Sequence, residues 1–175
     1  KQPGLLCEAV RILNEKGIKT HVTLTATIKD IEQVGGSSKD VDLLKRAEAR
    51  GEASLVGHIS YEQLIGYYNS HDALVSPSLS ETFCHPLIEA MCSGVLVISS
   101  DLPVALEVCG DNAVFFDGLR VRSLVDAVLK LDGDAEFRES LREKAIAFSR
   151  GNYDWEAHVD RLLEIFENAI EIGCR

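Results

Sequence analysis

Two glutamates eight positions apart, Glu81 and Glu89, mark the stretch of this chain best suited to chemistry. Pro86 between them suits a first helical position. The amides of Phe83, Cys84 and His85, with those of Leu87 and Ile88 in the first turn, then lack intrahelical partners. Together with the positive end of the helix dipole they form a cradle for a phosphate. In one continuous helix the two carboxylates would stand about 12 Å apart along the axis, whereas a loop position lets Glu81 fold back toward the helix start. Such a pair admits several chemistries. Glycosidases flank a scissile bond with carboxyls about 5 to 10 Å apart, and dinucleotide folds set a carboxylate on ribose hydroxyls. The plain alternatives are an acid well placed near a helix N-terminus and a solvated loop residue.

The elements that must position these groups alternate along the chain. Residues 5–15 place Leu5, Leu6, Ala9, Val10 and Leu13 on one face of a helix that stops at Gly17. The β-branched run 21–28 (HVTLTATI) reads as a strand. A Gly-Gly-Ser-Ser loop follows, and then a helix from near Asp40, a strand at 53–56, and a helix at 61–69. Residues 73–75 form a strand ended by Pro77, which cannot donate to a ladder. Its carboxyl end opens into the loop 78–85, where open α/β sheets bind ligands. The helix from Pro86 stops at Gly94, and the apolar run 95–99 (VLVIS) is a strand buried on both faces. A short helix at 104–108, a strand at 113–116 and three helical stretches from about 121 to 172 complete the chain. The expected fold is α/β, a Rossmann-like parallel sheet covered by helices, in a single domain over 1–175.

The composition excludes other classes. With 175 residues, 46% of them hydrophobic, there is material for one ordinary core. Lys and Arg number 18 against 28 Asp and Glu, a net charge of -10, which disfavours nucleic acid as a partner. No apolar stretch is long enough to span a membrane. The five cysteines form an odd set with neither a CxxC pair nor histidines at zinc-ligand spacing, which points to free thiols in a reducing, cytoplasmic compartment and to no metal site.

The run Pro77 to Gly94, PSLSETFCHPLIEAMCSG, resembles the E-x7-E signature of the retaining, GT-B fold glycosyltransferases of family 4, P-S-x-x-E-G-F-G-x-x-x-x-E-A-M-A-x-G. Pro77, Ser78, Glu81, Phe83, Glu89, Ala90, Met91 and Gly94 stand in register with it. The stretch VGHIS, Glu107 with Gly110 to Asn112, and Trp155 resemble further family segments, and KQPGLLCEA resembles K-G-x-x-x-L-x-x-A.

The resemblance implies the donor-binding, C-terminal half of an enzyme that moves a sugar from a UDP-, GDP- or ADP-sugar to an acceptor with retention. Glu81 would be the catalytic residue and hold the donor-sugar hydroxyls. Glu89 would hold the ribose. The amides at Phe83, Cys84 and His85, with Leu87 in the first turn, would meet the phosphate and sugar. Ile59 and Leu64, with His58 beside them, would flank the base, and Lys1 would contact the diphosphate. No metal or other cofactor is implied. Thr82 and Cys84 stand where the family prefers glycine, and a side chain at 84 is expected to narrow the space against the sugar.

The same alignment sets the family's first strand ahead of Lys1. The expectation is therefore a sheet lacking that strand, cut from a longer polypeptide whose N-terminal half binds the acceptor and could rest on a membrane. The isolated domain should bind nucleotide and transfer nothing. Two other readings fit the same fold: a nucleotide-binding regulatory module, and a sugar-nucleotide epimerase or phosphorylase.

Overall fold

Short parallel strands alternate with helices along the whole chain in the computed structural model, which describes residues 1–173. Helix α1 (Pro3–Glu15) leads into β1 (Val22–Leu24), α2 (Ile28–Gln33), α3 (Ser38–Ala49), β2 (Ala53–Leu55) and α4 (Tyr61–Asn69). Then come β3 (Ala73–Ser76), α5 (His85–Cys92), β4 (Leu96–Ser100), α6 (Pro103–Cys109) and β5 (Val114–Phe116). Helices α7 (Val121–Gly133), α8 (Ala135–Asn152) and α9 (Trp155–Gly173) close the described chain.

All pairings are parallel. Strand β1 pairs only with β2, Val22 opposite Ala53, while β3, β4 and β5 form a second sheet with Ala73 opposite Leu96 and Ile98 opposite Val114. Every residue of β4 is buried, as its apolar run requires of a central parallel strand. Leu96 and Ile98 face the core built with α1 and α7, and Val97 faces the opposite one built with α5 and α6. A third cluster joins Cys7 of α1 to Val41, Leu44 and Ala47 of α3. Leu87 and Met91 are fully buried, and each such side chain contributes about 1.5 to 3 kcal/mol of transfer free energy. Gly4 permits the close approach of α1 to α3: a Cβ there would fall 2.1 Å from Asp40 Oδ1.

Three local expectations shift. The strand read over 21–28 is only three residues long, because Thr27 caps α2 instead. Its hydroxyl accepts from the Asp30 amide at 3.2 Å, and the Asp30 carboxylate accepts from the Thr27 amide at 2.7 Å. Ser76 belongs to β3, so Pro77 stops the ladder one residue later than expected. Helix α5 starts at His85 from a left-handed Cys84. The apolar stripe of α9 lies open to solvent, with Trp155 at 74%, Phe166 at 58% and Ile170 at 65% exposure.

Candidate functional site

The loop from Pro77 to Cys84 rises at the carboxyl edge of β3 and is tied down by its neighbours' hydroxyls. Ser100, at the end of β4, donates to the Ser78 carbonyl at 2.6 Å. Ser78 is itself buried and donates to the Glu81 carboxylate at 2.8 Å. The Gln2 amide donates to the Pro77 carbonyl at 3.0 Å, and Gln2 Nε2 to the Gly118 carbonyl at 2.6 Å. Gly118 allows this crowding, since a Cβ there would stand 3.1 Å from that of Ser100. Four short segments thus meet at one edge, and Glu81 is held there by Ser78.

Lys1 joins Glu81 directly: its ammonium donates to the carboxylate that Ser78 also reaches. The Lys1 ammonium, ahead of the Ser78 hydroxyl, holds the Glu81 carboxyl below the usual carboxylate range. The expected phosphate cation and the expected catalytic acid are therefore one ion pair in this structure.

Glu89 sits one turn into α5, where Tyr68 of α4 donates to its Oε2 at 2.8 Å. Burial, then the hydrogen bond and charge of Glu89, push the Tyr68 phenol above its usual range, so it stays a donor at any working pH. Of the expected residues, Lys1, Leu64 and Glu89 line one cavity of about 930 Å³. Glu81, Phe83, His58, Ile59 and His85 lie outside its walls. Phe83 and His85 meet edge to face with ring centroids 4.9 Å apart on an exposed rim.

The expected cradle of amides is smaller than the sequence suggested. The Phe83 and Cys84 amides donate to no acceptor among the described residues, but the Leu87 amide donates to the Cys84 carbonyl at 3.0 Å and is spent inside the helix start. Cys84 adopts φ 64°, ψ 64°, the left-handed conformation glycine favours. Its thiol does not narrow a sugar space: the residue is 7% exposed and its Sγ lies 3.6 Å from the Ser76 hydroxyl, within the core under α5.

Sequence reading missed Tyr68, Gln2, Ser100 and Gly118. Nothing in the spacing of Tyr68 marks it; it reaches Glu89 through one long side chain extended from α4 toward α5. Among the described residues no group of three or more His, Cys, Asp or Glu could hold a metal, and no helix is long and apolar enough to cross a membrane. Cys7, Cys84, Cys92 and Cys109 are free thiols, and Cys174 lies outside the described residues. Burial pushes Cys7 up to about 11 and Cys109 to about 12, so both are inert thiols.

A family model described as "Glycosyl transferases group 1" matches residues 1–148. Among curated proteins, the D-inositol 3-phosphate glycosyltransferase of Corynebacterium jeikeium is 28% identical over 117 residues, which is 65% of this chain and 27% of the relative. The matched stretch thus spans about a quarter of that relative's length. Among solved structures, a glycosyltransferase from Rickettsia africae superimposes with TM-score 0.79 at 17% identity, over 97% of this chain and 45% of the other. A variant of S. aureus TarM, crystallised with UDP among other ligands, superimposes with TM-score 0.73 at 18% identity over 93% and 32%.

Proposed function

The chain belongs to the glycosyl transferases group 1 family and carries the α/β fold of one half of a GT-B glycosyltransferase, and from that premise we propose that residues 1–175 form its nucleotide-sugar-binding domain. The observations that support the reading are that Lys1 is bonded to Glu81 and lines one cavity with Glu89, and that the Phe83 and Cys84 amides ahead of α5, the helix that carries Glu89, donate to no acceptor among the described residues. Glu89 would hold the ribose and Glu81 the donor-sugar hydroxyls. The diphosphate would lie across the Phe83 and Cys84 amides at the start of α5, with Lys1 turning from Glu81 toward it.

In the reaction, the bond from the sugar's anomeric carbon to the diphosphate breaks, a bond to the acceptor hydroxyl forms on the same face, and the hydroxyl proton leaves with the diphosphate. Negative charge grows on the departing phosphate. Preorganised amides, the helix dipole and the Lys1 cation stabilise it without reorganising, and the scheme uses no metal. The acceptor site lies on a second domain of a longer cytoplasmic protein. UDP is the first nucleotide to try, because a structural relative is crystallised with it.

Calorimetric titration with UDP, GDP and ADP, beside Glu89→Ala, tests the reading. One nucleotide should bind. The substitution should weaken it about tenfold or more, since a hydrogen bond to a charged group is worth about 1.5 to 3 kcal/mol. A folded protein that binds none of the three, in the chain and in the longer polypeptide alike, overturns it.

A further inference from the structure

Between Ser78, whose carbonyl is held by Ser100, and Cys84, whose thiol lies in the core, the loop ahead of α5 has little backbone support. Among the described residues no backbone group of 79–83 bonds to another backbone group. Two side chains hold this stretch instead. Glu81 accepts from Ser78 and Lys1, and the Phe83 ring is lodged between two other rings. His85 stands on one side of it. On the other stands Tyr153, edge to face, with ring centroids 6.2 Å apart and planes at 78°.

Tyr153 comes from far along the chain, at the break between α8 and α9, and three bonds or contacts fix it there. Its amide donates to the Ser149 carbonyl at 2.9 Å and closes α8. Its phenol donates at 2.8 Å to the Val108 carbonyl, one of the last in α6 and so without an intrahelical partner. Burial pushes that phenol above its usual range, which keeps it a donor at neutral pH. Its ring meets Phe148 edge to face at 6.3 Å, and Phe148 lies against Gly110, where a Cβ would stand 3.6 Å from the ring. Tyr153 is thus tied to α6 and α8 and packs on the core that holds Leu87 and Met91. Phe83 leans on a fixed wall.

The consequence falls on the backbone. A residue whose ring is held on two sides cannot swing its own amide freely, and the Phe83 amide is one of the two donors without an acceptor. Donors fixed in advance are what a phosphate gaining charge requires. We propose that Tyr153 is a positioning residue of the diphosphate site: through the Phe83 ring it aims the Phe83 amide, and with it the Cys84 amide, at the phosphate farther from the ribose. The inference rests on the nucleotide-sugar reading and gives that site a support from outside the loop. Glu89 stands five residues beyond Cys84, about 7.5 Å along α5. Two phosphates bridge that separation and one does not. Loss of the wall therefore weakens a nucleoside diphosphate and spares the monophosphate.

Calorimetry on the full natural polypeptide with UDP and UMP, GDP and GMP, and ADP and AMP, at one ionic strength, tests this in Tyr153→Leu, Tyr153→Phe and Phe83→Leu. For the base that binds, Tyr153→Leu should weaken the diphosphate about fivefold, the worth of an aromatic pair, and the monophosphate less than about twofold. Tyr153→Phe keeps the ring and loses only the bond to Val108, so diphosphate affinity should return to within about twofold of the native value. Phe83→Leu removes the same contact from the exposed rim, should reproduce the diphosphate-selective loss, and decides the matter if Tyr153→Leu does not fold. Unchanged diphosphate affinity in a folded leucine variant, an equal loss of diphosphate and monophosphate, or a Tyr153→Phe as weak as Tyr153→Leu would each overturn the proposal. If no nucleotide binds the natural polypeptide, the donor-site reading falls and this inference with it; a native diphosphate site indifferent to residues 83 and 153 removes the inference alone.

Discussion

Replacing Tyr68 with phenylalanine removes one hydroxyl, the donor that reaches Glu89 Oε2 at 2.8 Å, and little else. A hydrogen bond to a charged group is worth about 1.5 to 3 kcal/mol. Both partners are half-buried, so water recovers part of that, and the loss in stability should be about 1 kcal/mol. For a chain of this size that is a fall in Tm of about 2 to 4 °C. If Glu89 also holds a ribose, its freed carboxylate loses its aim and nucleotide affinity should fall about fivefold. The decisive assay is a double-mutant cycle with Glu89→Gln, read by urea unfolding at neutral pH. A coupling of about 1 kcal/mol is expected. Additivity of the two substitutions within about 0.3 kcal/mol would refute the claim that Tyr68 acts through Glu89.

The Lys1–Glu81 pair predicts a pH dependence of defined sign. Because the folded carboxyl lies below its unfolded value, the pair's contribution is present above about pH 4.3 and is lost as pH falls through the lower folded value. Lys1→Met should flatten that acid limb by at most about 1 kcal/mol, the pair being partly exposed; superimposable urea stability profiles for the two proteins from pH 3 to 7 would sink this. At Cys84, with φ 64°, Cys84→Gly should change stability by less than about 1 kcal/mol, since relief of the left-handed backbone offsets the lost buried thiol. Cys84→Val should cost about 2 kcal/mol or more, a β-branched side chain being worse there; equal denaturation midpoints for the two variants would contradict it.

The alternation of strands and helices was legible because parallel strands buried on both faces leave unbroken apolar runs, as in residues 95–99, and because Pro77 and Gly94 punctuate them. The strand over 21–28 was misread for a local reason. Thr25 and Thr27 have strand propensity, but Thr27 followed three residues later by Asp30 is also a helix start, and the capping bonds won. Glu81 and Glu89 could be placed at one sheet edge from their loop and helix positions. What holds them could not be foreseen. The partners Tyr68 and Lys1 come from 21 and 80 residues away in sequence, brought in from the far end of α4 and from ahead of α1. The inward thiol of Cys84 was equally hidden, since a left-handed residue at a helix start can present either its backbone or its side chain to a cleft.

The bonds from Gln2 to Pro77 and Gly118 have a practical side for anyone preparing this protein. In the isolated 175-residue chain, whatever is joined to Lys1 emerges among the loops of the candidate cleft, within reach of Glu81. A histidine tag or solubility partner fused at that end would crowd the cleft mouth and offer imidazoles or carboxylates to it. Purification handles belong beyond α9, at the opposite terminus, and activity lost on amino-terminal fusion should first be blamed on the handle.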